Sequence, residues 1–123
     1  MIKFTSLHPV LWTESWEETI QFYTEILGFT IHEKNDNWKW ASLQRDGIRI
    51  MVSAPNAHQG FIKIGFTGSF YFNISMIDDF WQIIKDKIEI CYEIEDFEWG
   101  MREFAVYDNN GYILQFGEAV SGN

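Results

Sequence analysis

Apolar residues recur along the chain with two periods, one typical of helices and one typical of strands. A helix is predicted over residues 16–27, because its apolar positions are spaced by four, three and four and so share one face. Those positions are Trp16, Ile20, Tyr23 and Leu27. Ser15 and Glu18 form a predicted capping box, in which each side chain binds a free backbone N–H at the other's position. Gly28 predicts a left-handed helix end, on which Phe29 can pack.

Around this helix, the alternation of apolar and polar residues predicts four strands. They cover residues 2–12, 29–33, 38–44 and 48–53. Pro9 lacks a ladder donor, so the first strand starts there, lies at a sheet edge or is irregular at that point. Residues 35–37 are predicted to form a turn, and residues 45–47 a hairpin turn with positive φ at Gly47. The first half is therefore β-α-β-β-β.

The second half repeats this order of elements. Strands are predicted over residues 69–75, 90–94, 101–107 and 112–117, and a helix over residues 80–87. Asp78 or Asp79 is the predicted helix cap, and Trp81, Ile84 and Ile88 share the apolar face. The pattern predicts an α+β fold of two tandem βαβββ modules. Module one covers about residues 4–56, a linker 57–67, and module two about 68–118.

Composition and charge narrow the possible functions. The 123 residues form one domain by length, and 18% of them are aromatic, six being tryptophan, so some rings are expected to line a cavity or an interface. The net charge of −9 argues against nucleic acid as a partner. It suits a cationic small molecule, although acidic surfaces also serve solubility alone.

The absence of export and membrane signals predicts a cytoplasmic location. No apolar run is long enough to span a membrane, and the N-terminus does not resemble a signal peptide. The single cysteine, Cys91, cannot form an internal disulfide and fits a reducing compartment. It lies in an apolar predicted strand, so we expect it to be buried and inert.

Three segments carry a family resemblance that spans about residues 4–118. They are FYTEILGF at 22–29, GIRIMVS at 47–53 and WGMREFAVYDNNGYILQFGE at 99–118. Together and in this order they resemble the vicinal oxygen chelate superfamily of glyoxalases, bleomycin-resistance proteins and extradiol dioxygenases. The resemblance implies curved mixed sheets around a cavity, one helix outside each sheet, and a homodimer.

The resemblance also implies where a metal ion would be bound in the metal-dependent members. The corresponding positions here are His8, Met51, Ser69 and Gln115, where glyoxalase-type enzymes carry His, Glu, His and Glu. Thioether, hydroxyl and amide groups are poor ligands for a hard or borderline divalent ion. The chain is therefore closest to the metal-free, bleomycin-resistance-like branch, and no cofactor is expected. The alternative is a divalent ion held by His8 in a shifted site that includes Glu103 or Glu118, although a one-residue slip would turn Glu118 to the opposite sheet face.

Each remaining candidate for the ligand cavity has a structural alternative. Trp12, Trp38, Trp40 and Trp99 could stack on a flat ligand or belong to the core or an interface, with Trp38 and Trp40 predicted to share a strand face. Arg102, in the motif with Glu103, could line the cavity or pair at a sheet edge. His8 could bind a ligand or serve a structural role, and His32 and His58 are expected to be exposed.

Three functions remain open from the sequence. The first is a metal-free protein that binds an aromatic or cationic small molecule in a cavity lined by Trp, Phe and Tyr; the resemblance suggests antibiotic resistance by sequestration as its role. The second is a metal-dependent lyase or oxidoreductase of the glyoxalase or dioxygenase kind, centred on His8. The third is a structural or regulatory dimer without a small ligand.

Overall fold

The structure, a computed structural model, describes residues 1–55, 65 and 68–120. The chain divides into two compact units, Met1–Phe61 and Ile62–Asn123. Most of the linker predicted at residues 57–67, together with His58, lies outside the described residues. No helix of the described chain is long and apolar enough to cross a membrane.

The first unit contains one helix and a four-stranded mixed sheet, called sheet one. Its elements in order are β1 (Val10–Trp12), α1 (Trp16–Gln21) with a π-helical continuation (Phe22–Ile26), β2 (Thr30–Asn35), β3 (Trp40–Arg45) and β4 (Ile48–Ser53). The strand order is β1-β4-β3-β2. β1 runs parallel to β4, and the other pairs are antiparallel.

The second unit repeats that arrangement in a second sheet, called sheet two. Its elements are β5 (Phe70–Asn73), α2 (Ile77–Ile84), β6 (Glu89–Asp96), β7 (Met101–Tyr107) and β8 (Ile113–Ala119). The strand order is β5-β8-β7-β6, with β5 parallel to β8. The predicted α+β class and the β-α-β-β-β order of both halves are confirmed.

The apolar face of α1 is buried as its spacing predicts. Its four apolar residues are each at most 6% exposed; they are Trp16, Ile20, Tyr23 and Leu27. Gly28 ends the helix with φ of +77°, and the Phe29 ring packs edge-on against Tyr23 at 5.8 Å. The spacing does not reveal that the last turn widens, with the Leu27 N–H bound to the Phe22 carbonyl five residues earlier.

The predicted capping box at the start of α1 is wrong. Ser15 is the N-cap, but its side chain makes no capping hydrogen bond. Instead, the Ser15 N–H donates to Thr13 Oγ1 at 2.9 Å, and Thr19 Oγ1 donates to the Ser15 carbonyl at 2.8 Å. The buried hydroxyls of Thr13 and Thr19 therefore order the chain where β1 enters the helix.

The predicted cap of α2 is also wrong, because the helix begins earlier and is capped from a distant strand. Asp78 and Asp79 lie inside its first turn, and Met76 occupies the N-cap in the left-handed conformation with φ of 56°. The Glu118 carboxylate of β8 accepts hydrogen bonds from the backbone N–H groups of Met76 and Ile77, at 3.2 and 3.1 Å. A carboxylate at a helix N-terminus is favoured by the helix dipole.

The aromatic core of the second unit lies between α2 and one face of sheet two. Phe80 and Trp81 of the helix contact Phe104 of β7, with ring centroids 6.2 and 4.9 Å apart. Phe116 of β8 joins them, 5.3 Å from Phe104. Because strand side chains alternate, residues 103, 105, 115 and 117 point away from α2.

Two strands, β1 and β3, begin two or more residues later than predicted. β1 covers only the last three residues of the predicted 2–12 strand, and it lies at the sheet edge, one of the positions that Pro9 allows. Trp38 lies in the turn before β3, where Lys39 has a φ of 53° that breaks the strand conformation. Trp38 and Trp40 therefore do not share a strand face. In the next hairpin, the positive φ falls on Asp46, at 52°, and not on Gly47.

Candidate functional site

Each sheet has a face turned away from its own helix, which we call its far face. On sheet two this face carries polar side chains from all four strands. Five residues contribute these side chains, four from the strands and one, Ser69, from the segment just before β5. They are Ser69, Tyr71, Tyr92, Glu103 and Gln115. Strand register explains the grouping, because Gln115 is the partner of both Tyr71 and Ala105, and Ala105 is the partner of Tyr92.

These side chains form one continuous hydrogen-bond network. Ser69 Oγ donates to Gln115 Oε1, and Gln115 Nε2 donates to the Tyr92 hydroxyl at 2.9 Å. Tyr92 in turn donates to Glu103 Oε2 at 2.5 Å. The other carboxylate oxygen, Oε1, accepts the Tyr71 hydroxyl at 2.8 Å and Trp99 Nε1 at 3.0 Å.

Glu103 is the acceptor at the centre of the network and is only 2% exposed. Burial favours the neutral acid, but the hydrogen bonds from Tyr92, Trp99 and Tyr71 outweigh it and lower the pKa of Glu103 below its ordinary value. Within the described part of the chain, no Lys, Arg or His forms an ion pair with Glu103. The network therefore holds a carboxylate whose charge is stabilised by neutral donors.

Burial and the hydrogen bond to Glu103 both keep the two tyrosines protonated. Burial, followed by the hydrogen bond to Glu103, raises the pKa of Tyr71 to about 12. The same two causes, in the same order, raise the pKa of Tyr92 to about 12. Neither hydroxyl is therefore a good proton donor in a reaction near neutral pH, and Glu103 is a weak base. The arrangement suits binding better than acid–base catalysis.

Trp99 presents an exposed indole that is nevertheless fixed in place. The residue is 61% exposed, yet its N–H is bound to Glu103 and its ring stacks on Phe97 at 4.6 Å with an interplanar angle of 14°. Phe97 also packs edge-on against Tyr92 at 5.5 Å. An exposed ring held by two contacts loses little side-chain entropy when a ligand stacks on it.

Gly117 gives Tyr71 the room to reach Glu103. A methyl group at position 117 would lie 1.9 Å from the Tyr71 hydroxyl oxygen and 2.6 Å from the ring carbon that bears it. Gly117 and Glu103 are register partners on β8 and β7. The tyrosine therefore crosses the space that a side chain at position 117 would fill.

The far face of sheet one is built on the same register but carries different groups. Met51 is the partner of Val10 and of Ser42, just as Gln115 is the partner of Tyr71 and of Ala105. His8 and Ser69 both lie two residues before the β1 or β5 partner. The four positions taken from the resemblance thus correspond between the modules, and the structure joins Ser69 to Gln115 directly.

Sheet one has no counterpart of the Glu103 network. Ser42 Oγ is buried and has no hydrogen-bond partner among the described residues. Trp12 and Trp40, both half-buried, are register partners of the same residue, Ser53, so they lie on the same sheet face, one on each side of β4. His8 is half-buried and lies just before β1, where the Pro9 carbonyl accepts the Met51 N–H at 2.9 Å.

Two other candidates lie away from the network. Trp38 is 76% exposed in the turn before β3. Arg102 pairs with Asp78 of α2 at 2.8 Å and with Asp96 of β6 at 3.1 Å, on the helix side of sheet two. Those two carboxylates raise the pKa of the Arg102 guanidinium through hydrogen bonds.

Glu118 and Glu103, the two carboxylates of the alternative metal site, lie on opposite faces of sheet two. Glu118 caps α2, as the alternation argument requires, whereas Glu103 reaches Gln115 through Tyr92. Cys91 is only half-buried, whereas the sequence predicts a buried thiol. A hydrogen bond with Cys91 raises the pKa of Tyr107. His32 is exposed, as predicted.

The side chains described on the two far faces are a poor set of ligands for a divalent metal ion. Among the described residues, no group of three or more His, Cys, Asp and Glu side chains is placed to hold one. On the far face of sheet two, both oxygens of Glu103 already accept hydrogen bonds, and the Gln115 amide is occupied at both ends. Glu103 is the one charged ligand that this network offers, and it is only 2% exposed, so a hard ion there would gain a single carboxylate and would compete with the donors already bound to it.

The sequence does not single out two members of this network, Tyr71 and Tyr92, nor Phe97, whose ring packs against Tyr92 and Trp99. The sequence indicates Glu103 only as part of a motif and as a ligand of the alternative, shifted metal site. The signal that could have found Tyr71 and Glu103 is the period of two, since Tyr71 follows Ser69 on one strand and Glu103 precedes Ala105, the partner of Gln115, on another. Tyr92 could not be placed this way, because the β6–β7 register shifts on both sides of it.

Comparison with solved structures places the fold among known ones. The chain is 19% identical to a protein of unknown function from Agrobacterium tumefaciens, with a TM-score of 0.80 and 98% of each chain covered. It is 16% identical to TioX from Micromonospora, with a TM-score of 0.75 and coverage of 95% of this chain and 100% of TioX. It is 13% identical to a lactoylglutathione lyase from Agrobacterium tumefaciens, with a TM-score of 0.69 and coverage of 93% and 92%.

Sequence comparison identifies the family. No curated protein sequence matches the chain significantly. The model of the Glyoxalase/Bleomycin resistance protein/Dioxygenase superfamily matches residues 5–116, which is nearly the whole chain. The β-α-β-β-β order found twice and the similar solved structures agree with that match. The chain therefore belongs to the Glyoxalase/Bleomycin resistance protein/Dioxygenase superfamily.

Proposed function

We propose that this protein binds a small aromatic or cationic molecule, without a metal ion, against the far face of sheet two. The observation that carries the proposal is the pairing of Trp99 with Glu103. An exposed, rigidly held indole lies directly beside a carboxylate that has no cationic partner among the described residues. A flat ligand can stack on the indole, and a cationic ligand gains from both the ring and the charge.

The chemistry of the network supports binding over catalysis. Its carboxylate is a weakened base and its tyrosines are weakened acids, so none of the three is tuned to move a proton near neutral pH. The metal-dependent reactions of the superfamily would need donors that Met51, Ser69 and Gln115 do not supply. A metal-dependent enzyme is the alternative, and no contact of the far faces favours it.

The proposal is tested by comparing two exposed tryptophans. Trp99→Leu and Trp38→Leu are titrated calorimetrically with a panel of aromatic cations, for example phenethylamine and benzyltrimethylammonium. We expect Trp99→Leu to weaken binding by about tenfold or more, since stacking and cation–π contacts contribute about 1–2 kcal/mol. Trp38→Leu, which changes a still more exposed ring in the other module, should leave the affinity unchanged.

Two outcomes would contradict the proposal. The first is that no member of the panel binds the wild-type protein, and the second is that the two variants weaken binding equally. Circular dichroism of both variants shows whether either substitution has disturbed the fold. Elemental analysis of protein purified without chelator tests the metal-free part of the proposal, and a stoichiometric transition metal lost in His8→Ala would refute it.

We also propose a homodimer in the cytoplasm. Exposed apolar residues near the start of the chain support self-association: Met1, Ile2, Phe4 and Leu7 are each at least 91% exposed. Apolar side chains gain about 1.5–3 kcal/mol each on full burial, so a second copy is a favourable partner for them. Light scattering should give twice the mass of the 14.6 kDa chain, and Phe4→Asp with Leu7→Asp should lower it; a monomeric wild type would contradict the dimer.

A further inference from the structure

The hydrogen bonds on the far face of sheet two can run in only one direction. An ionised Glu103 accepts and does not donate, and Trp99 Nε1 can only donate to it. Tyr92 must therefore give its single proton to Glu103, which leaves the Tyr92 oxygen as an acceptor for Gln115. The Gln115 amide is thereby oriented, with its NH₂ group toward Tyr92 and its oxygen toward Ser69.

The outer end of this chain of hydrogen bonds is Ser69. Its hydroxyl proton is committed to Gln115 Oε1, and the residue is exposed. A serine hydroxyl has one proton and two acceptor positions, so Ser69 Oγ offers only lone pairs to an incoming molecule. The orientation set by Glu103 at the buried end of the network therefore fixes what the exposed end can recognise.

We propose that this site takes its ligand as a hydrogen-bond donor, above all as a protonated amine, and discriminates against carboxylates and phosphates. The inference rests on the proposed function and names the chemical class of its ligand. An ammonium group donates to Ser69 Oγ and is attracted by the Glu103 charge. An anion is repelled by the negative charge of Glu103 and meets only lone pairs at Ser69 Oγ, so Ser69 offers it no hydrogen-bond donor.

Two probes of the same shape test this discrimination. Phenethylamine and 3-phenylpropanoate share a phenyl ring and a short alkyl chain but present an ammonium or a carboxylate. We expect the full-length protein to bind the amine at least about tenfold more tightly at physiological ionic strength, because hydrogen bonds to charged groups contribute about 1.5–3 kcal/mol. Carboxylate binding as tight as amine binding would overturn the inference while leaving a binding site in place.

The protein is acidic overall, so the contribution of Ser69 has to be separated from that of the general field. Ser69→Ala removes the terminal acceptor without changing any charge, and Ser75→Ala, at another exposed serine of the second unit, is its control. The preference for the amine should fall several-fold in Ser69→Ala and persist in Ser75→Ala. An unchanged preference in Ser69→Ala would overturn the inference, and binding of neither probe by the wild type would overturn the proposed function with it.

The orientation of Gln115 has a test that needs no ligand. Nuclear Overhauser effects from the Gln115 side-chain NH₂ protons should reach the ring protons of Tyr92. Effects from those protons to the Ser69 methylene group, without any to Tyr92, would show the reverse orientation and overturn the inference.

Discussion

The far faces of the two sheets share one backbone plan and carry different chemistry. Both sheets have the same strand order, and β3 pairs with β4 in the same register as β7 with β8, so Ser42 corresponds to Ala105, Trp40 to Glu103 and Met51 to Gln115. On sheet two, the polar groups are joined from Ser69 to Glu103. On sheet one, the buried Ser42 hydroxyl has no hydrogen-bond partner among the described residues.

The difference shows which part of each module sets the fold and which part is free to change. The helix side is apolar in both units, with Leu43 and Ile50 in one and Phe104 and Leu114 in the other all at most 1% exposed. Burial of these side chains stabilises both modules alike. The far face then carries either a continuous polar network, as on sheet two, or a mixed surface of tryptophans, Met51 and the hydrogen-bonded pair Arg49–Gln44, as on sheet one, without a change in the order of the strands.

The largest expected effect comes from removing the centre of the network. Glu103→Ala leaves two tyrosine hydroxyls and the Trp99 N–H without their acceptor, and we expect the free energy of unfolding to fall by about 3 kcal/mol. Urea denaturation measures this loss. Glu95→Ala, which changes the exposed register partner of Glu103 on β6, should cost less than about 0.5 kcal/mol. Equal losses in the two variants would mean that the network contributes nothing.

A smaller effect is expected from filling the space that Tyr71 crosses. Gly117→Ala should lower the free energy of unfolding by about 2 kcal/mol, because its methyl group would displace the Tyr71 hydroxyl from Glu103. In a Tyr71→Ala background the same change should cost little. Gly47→Ala, where the added methyl group meets nothing within 4 Å, is the control. A cost for Gly117→Ala that persists without Tyr71 would refute this explanation.

The smallest effect concerns the unpaired hydroxyl of sheet one. Ser42→Ala removes a buried polar group without a partner among the described residues, so the free energy of unfolding should stay the same or rise by about 1 kcal/mol. The reciprocal change, Ala105→Ser, buries a hydroxyl at the corresponding position of sheet two and should destabilise by about 1–2 kcal/mol. Thermal or urea unfolding of the two variants measures both changes in the free energy of unfolding. A loss of stability in Ser42→Ala would contradict the view that its hydroxyl is a buried group without a partner.

Local patterns were enough to predict most of the fold. The spacing of Trp16, Ile20, Tyr23 and Leu27 gave the buried face of α1, and Gly28 gave its end. The start of α2 was missed because its cap, Glu118, is 41 residues from Ile77 and no local pattern contains it. Trp38 was misplaced because the left-handed Lys39 interrupts a run that otherwise reads as a strand.

The site was predicted less completely than the fold for a related reason. Ser69 and Gln115 followed from the resemblance, and the structure joins them, but Tyr92 and Tyr71 meet Glu103 only through pairing between strands that are distant in sequence. Because the β6–β7 register is irregular beside Tyr92, the alternation of side chains along β6 does not predict that Tyr92 contacts Glu103. No local pattern indicates that Glu103 is buried, because a glutamate buried to 2% exposure is uncommon unless donors are supplied from elsewhere in the chain.

The ionisation of Glu103 determines the direction of the hydrogen bonds, the charge beside Trp99 and the class of ligand. Its pKa is measured most directly by following the side-chain carboxyl carbon by NMR as the pH is lowered. We expect a midpoint below the ordinary value of 4.5, so that stability from this group is present above pH 4.5 and is lost as the pH falls through the lower midpoint of the folded state. A midpoint above 4.5 would show that Glu103 favours the neutral acid in the folded protein, and would contradict the account.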